Sequence, residues 1–199
     1  MGVIWRDTFE RPDGVVTGSD YSNMGETDAS IVSGQIVSTD DVVFAYQNAT
    51  RTDLYVKARL TYDASVSGGS ALFMFTTSLA DLNNRYNLYI PDTGTPTQAK
   101  IAKTVAGTFT DILTGLPLPA VNDVVTFEKQ GTLLAVYYNG VLQGSVSDAS
   151  LSGPFYVSVN LDGLGGTVSL DDFEIGDISL VKPLRPNTRP RPFAPGIAR

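Results

Sequence analysis

At 199 residues the chain fits one domain with an appended segment better than two full domains. Its composition, 42% hydrophobic and 18% charged, allows a sizeable core, and no run approaches the roughly eighteen apolar residues of a membrane-spanning helix. There is no Cys and no His, which excludes disulfides, thiolate zinc sites, Cys nucleophiles and His-based triads and leaves acid–base work to carboxylates, Lys or Tyr.

The net charge of −7 is unevenly spread. Residues 182–199 hold five cations and no acid, so residues 1–181 carry nine positive against twenty-one negative side chains. So acidic a body repels polyanions, and neither nucleic-acid binding nor membrane insertion is expected. The opening, Met1-Gly2-Val3-Ile4-Trp5-Arg6-Asp7, lacks the charged head and long apolar run of a secretion signal, so any way out of a cell is expected to be lysis, a special secretion route or carriage on a particle.

In chain order, Asp53–Tyr62 alternates with period two, Leu54, Val56, Ala58, Leu60 and Tyr62 against Tyr55, Lys57, Arg59 and Thr61, the pattern of a half-buried strand. Ser70–Thr77 is a second strand, and Ser78–Asn84 is read as one short helical turn. Arg85–Ile90 alternates again, Tyr86, Leu88 and Ile90 against Arg85, Asn87 and Tyr89. Asp123–Lys129 and Thr132–Tyr138 are strands parted by Gln130-Gly131. Asn139-Gly140 then predicts a two-residue hairpin into Val141–Val146, because both turn positions need positive φ. Pro154–Leu161 is a further strand. Asp162-Gly163-Leu164-Gly165-Gly166 looks like a phosphate loop, but strand rather than helix follows it, so it is read as a connection. In the final strand, Val168 and Leu170 give way to Phe173, Ile175 and Ile178; the slip at Asp171-Asp172 predicts a β-bulge. About a dozen short strands imply an all-β, antiparallel β-sandwich of jelly-roll type over residues 1–181. Five of the chain's eleven prolines fall in residues 182–199, which predicts an extended, basic C-terminal arm that orders on a partner.

Four short segments resemble known proteins. Asp7-Thr8-Phe9-Glu10-Arg11-Pro12-Asp13-Gly14 is similar to the start of concanavalin A-like (laminin-G/glucanase-type) domains. Val168–Ile175 resembles their last strand, which returns beside the first, and Ile31–Val37 around Gly34 resembles a hairpin between them. The ending Arg189-Pro190-Arg191-Pro192-Phe193-Ala194-Pro195-Gly196-Ile197-Ala198-Arg199 resembles C-termini of actinobacteriophage minor tail and other virion proteins. Together these resemblances imply a non-enzymatic structural virion protein, a minor tail or capsid decoration component. It would assemble in the host cytoplasm, be released by lysis and form homo-oligomers with other virion proteins as partners. Arg185, Arg189, Arg191, Phe193, Ile197 and Arg199 would dock it on its neighbours, by bidentate contacts to carboxylates and an aromatic in a pocket.

The alternative is a lectin-like module recognising host surface glycans. Sugars stack on aromatic rings and hydrogen-bond to amides and guanidinium groups, so Tyr55, Arg59, Arg85, Asn87 and Tyr89, with Tyr138 or Tyr156, form the candidate platform. Glycosidases on this fold set two Glu on one strand, whereas Glu10, Glu26, Glu128 and Glu174 are far apart in sequence, so no catalytic residues are assigned. The concanavalin A-like resemblance implies at most a structural Ca²⁺ where first and last strands meet, with Asp7, Glu10, Asp171 and Asp172 as its nearest oxygen ligands; turn-capping or solvated carboxylates are the competing account.

Overall fold

The computed structural model of the protein describes residues 2–10, 14–15, 21–23, 30–38, 41–46, 51–62, 70–80, 82–91, 98–162 and 168–178. Among these residues there are sixteen strands and no helix. They are β1 (Gly2–Asp7), β2 (Gly14–Val15), β3 (Tyr21–Asn23), β4 (Ser30–Val32), β5 (Gln35–Ser38), β6 (Asp41–Tyr46), β7 (Leu54–Tyr62) and β8 (Ser70–Thr76). There follow β9 (Arg85–Pro91), β10 (Ala99–Val105), β11 (Thr108–Leu116), β12 (Val124–Gln130), β13 (Leu133–Tyr138), β14 (Val141–Ser147), β15 (Tyr156–Asp162) and β16 (Val168–Asp177). The expected arm, with all six of its docking residues, lies outside the described residues.

The strands form two antiparallel sheets. The nine-stranded sheet runs β14-β13-β12-β7-β16-β5-β4-β2, with β1 also on β16, and the seven-stranded sheet runs β11-β10-β9-β8-β15-β6-β3. β16 organises the first sheet. One edge lies along β7, while the other meets β5 through Val168–Leu170 and β1 through Phe173–Asp177. The register breaks between Asp171 and Glu174, and Asp172 has φ 52°. The bulge therefore stands where the change of phase placed it, and it lets β16 serve two partners on one side.

Alternation sends one face of each sheet into a shared core. Val56, Leu60, Phe127, Val136, Leu170 and Ile175 of one sheet meet Phe73, Phe75, Leu88, Ile101, Val157 and Val159 of the other, all essentially without solvent contact. Phe75 and Phe127 stack across the two layers with ring centroids 4.7 Å apart. At one margin, Tyr86 donates from its hydroxyl to Asp148 Oδ1 at 2.8 Å, and Lys103 Nζ lies 2.6 Å from Asp148 Oδ2. Tyr138, considered for the sugar platform, instead belongs to the core; its hydroxyl reaches the Pro117 carbonyl at 2.8 Å.

At Ser78–Asn84, where a helical turn is expected, the described residues show bends and no helix. Thr77 donates its amide to the Asn84 carbonyl at 3.1 Å, while the Thr76 and Ser78 hydroxyls accept the Ser78 and Ala80 amides. Short hydroxyl side chains thus cap the backbone locally and compete with helical bonding.

Candidate functional site

Each sheet turns its second face outward, and the residues expected to bind sugar are divided between these two faces. Tyr55 and Arg59 lie on β7 in the nine-stranded sheet, whereas Arg85, Asn87 and Tyr89 lie on β9 in the seven-stranded sheet. They do not form one platform.

On the nine-stranded sheet, register gathers side chains that are remote in sequence. Glu128 is opposite Tyr55, and Thr126 is opposite both Lys57 and Tyr137; Glu174 is opposite Lys57, and Gly176 opposite Tyr55. A Cβ on Gly176 would overlap the Tyr55 ring, so the glycine is what lets that ring lie across β16. The Tyr55 hydroxyl then donates to Glu174 Oε1 at 2.7 Å, and Lys57 Nζ reaches the same oxygen at 2.9 Å. Together these groups line a pocket of about 300 Å³.

Its two carboxylates are shifted in opposite senses. Burial lifts the Glu128 carboxyl above the ordinary Glu value, against a hydrogen bond from the Tyr137 hydroxyl. Burial also acts to raise Glu174, but hydrogen bonds from Tyr55 and Lys57 outweigh it and hold it below the usual range. The Tyr55 phenol is pushed well above its usual range by burial and then by Glu174. Sequence spacing concealed this pairing, because Glu128 and Glu174 meet only through the strand order β12-β7-β16.

The rest of this face is tied up internally. Arg59 donates to the Asn122 carbonyl at 3.1 Å and lies 3.5 Å from Asp172 Oδ2, and Arg6 holds Asp172 Oδ1 at 3.2 Å. Of the candidate calcium ligands, Asp7 accepts the Phe9 amide at 2.8 Å, Asp171 accepts the Asp172 amide at 2.7 Å, and Glu10 is exposed. Among the described residues no group of three His, Cys, Asp or Glu is placed to hold a metal ion; Asp7 and Asp171 cap turns, and Asp172 pairs with Arg6 and Arg59.

The seven-stranded sheet is different. Cross-strand register aligns Ala102, Asn87, Met74 and Ser158 in one row on its outer face. Asn87 and Met74 are 0% exposed and Ser158 1%, although no core side chain lies on this side of the sheet. The neighbouring rows carry longer, half-exposed groups, Arg85 and Tyr156 on one side and Lys100 and Tyr89 on the other. Short, fully covered side chains thus lie between longer ones on this face.

Arg85 Nε donates to Asn87 Oδ1 at 2.8 Å, and its Nη1 donates to the Leu82 carbonyl. Burial lowers the Arg85 pKa. Lys100 Nζ sits 5.4 Å from the Tyr89 ring centre and 5.2 Å from that of Phe109. Three buried side-chain atoms among the described residues have no hydrogen-bond partner: Asn87 Nδ2, Thr104 Oγ1 and Ser158 Oγ. All three belong to this one face. Native interiors leave few polar atoms unsatisfied, so three on a single surface call for a reason.

A two-layer sandwich in which the first strand pairs with the last, β1 with β16, allows comparison with known proteins. No family model matches the chain, and no curated protein matches it. Solved structures do. The carbohydrate-binding module CBM66 from Bacillus subtilis superposes with a TM-score of 0.65 at 18% identity, over 79% of this chain and 96% of that one. The laminarinase from Rhodothermus marinus gives 0.65 at 11% identity, covering 87% and 96%. The Emp47p carbohydrate recognition domain gives 0.62 at 13%, covering 86% and 93%. The fold is a concanavalin A-like jelly roll. At such identities the likeness is one of fold, and that fold carries both glucanases and binding modules. The virion role expected from the C-terminal ending has no support in these likenesses.

Proposed function

We propose that the chain is a non-catalytic carbohydrate-binding module whose site is the outer face of the seven-stranded sheet. The observation that carries this reading is the set of three unpartnered polar atoms on that face, Asn87 Nδ2, Thr104 Oγ1 and Ser158 Oγ. An amide donor and two hydroxyls match the dense hydroxyl groups of a sugar. Arg85 and the rings of Tyr89 and Tyr156 at the borders supply charged donors and stacking surfaces. Carbohydrate-binding relatives by fold support the class of ligand. Glu128 and Glu174 lie on the opposite face of the sandwich, away from the proposed ligand, which favours recognition over bond cleavage.

A glycan array probed with the full chain, followed by calorimetry on the best oligosaccharide, tests this. Asn87→Ala is expected to weaken binding on the order of three- to tenfold, the net worth of a lost neutral hydrogen bond. Tyr55→Phe, on the other face, is expected to leave it unchanged. An array with no ligand, or affinity lost in Tyr55→Phe and kept in Asn87→Ala, would refute the assignment.

A further inference from the structure

The pocket on the nine-stranded sheet has no part in that reading, and its chemistry points to a different ligand. We propose that it binds an organic cation, a guanidinium group carried on a short aliphatic chain. At about 300 Å³ it stands at the small end of the usual range of ligand sites, about 300–1,000 Å³. Two carboxylates, Glu128 and Glu174, and one ammonium, that of Lys57, line it, and Arg6 stands opposite Glu174 on β1, where it also holds Asp172.

Glu174 is only 6% exposed, yet both of its donors, Tyr55 and Lys57, go to Oε1. A largely buried carboxylate favours a charged N–H donor. The pocket is also lined by Tyr55 and Tyr137. A guanidinium is flat, weakly hydrated and rich in in-plane donors, so it can stack on a phenol ring while bonding to carboxylates at its edge. The acidic body, nine cations against twenty-one anions in residues 1–181, raises the local concentration of any cation. The guanidinium has two sources: a free small molecule, or an arginine of the basic segment 182–199, which carries four arginines and one lysine.

Calorimetry with butylguanidinium and its neutral counterpart butylurea tests the site. The proteins are wild type, Glu128→Gln, Tyr137→Leu, and a full-length variant with Arg185, Arg189, Arg191 and Arg199 changed to Gln. Butylguanidinium is expected to bind and butylurea not. Glu128→Gln should weaken binding more than tenfold, and Tyr137→Leu, which keeps bulk but removes the ring, should weaken it severalfold. Binding in wild type assigns the site to a free cation. Binding seen only once the four arginines are replaced assigns it to the chain's own basic segment. Absence of binding in both, equal binding of butylurea, or unchanged affinity in both pocket variants would overturn the proposal.

Discussion

Ser158 and Thr104 carry opposite consequences for stability and for recognition. A buried hydroxyl without a partner costs about 1–3 kcal/mol in desolvation, and both Oγ atoms are in that state. Ser158→Ala and Thr104→Val should therefore raise the unfolding free energy, by up to about 1 kcal/mol each, while weakening the sugar. Chemical denaturation beside calorimetry checks this; a loss of stability in both variants would mean the hydroxyls are satisfied. Asp148 shows the reverse case. Burial alone would raise its pKa, but hydrogen bonds from Lys103, Ser150 and Tyr86 hold it far below the ordinary range, and Tyr86 is correspondingly pushed up to about 12, first by burial. A depressed carboxylate stabilises the fold fully above its unfolded pKa of about 4 and loses that contribution as the pH falls through the folded value. Asp148→Asn should thus be clearly destabilised at pH 7, and the gap from wild type should close as denaturation is repeated at progressively lower pH.

At the level of strands, the chain announces some turns and conceals others. Asn139-Gly140 forms the expected hairpin, with φ of 51° and 79°, because Asn and Gly tolerate the left-handed region. Nothing lies within 4 Å of a Cβ built on Gly140, so Gly140→Ala isolates the backbone cost, roughly 1–2 kcal/mol. Thermal unfolding of that variant measures it. The β10–β11 hairpin turns at Ala106-Gly107 with φ of 47° and 80°, and Ala gives no such signal. There the turn is held from outside, by the Ala106 amide on Asn84 Oδ1 and the Gly107 amide on the Asn83 carbonyl, each at 3.0 Å. Period-two alternation located β7, β9, β12 and β13 and the bulge in β16, since burial of one face leaves its mark on the residues. Which strands lie side by side leaves none. Hence the platform could not be split correctly between Tyr55 and Asn87 beforehand, and the meeting of Glu128 with Glu174 stayed hidden.

Across the whole molecule, two layers share one core and expose two chemically distinct outer faces. The nine-stranded face satisfies most of its charge internally, through Arg6, Arg59 and Asp172 and through Lys57 and Glu174. The seven-stranded face leaves buried donors and acceptors unmet beside Arg85, Tyr89 and Tyr156, and it is there that the proposed hydroxyl-rich ligand would gain hydrogen bonds. Mapping the best array oligosaccharide onto the protein by amide chemical-shift perturbation decides between the faces. Shifts confined to β8, β9, β10 and β15, centred on Asn87 and Ser158, are the expected result. Shifts centred on β7, β12 and β16, or none at saturating oligosaccharide, would contradict the carbohydrate site argued above.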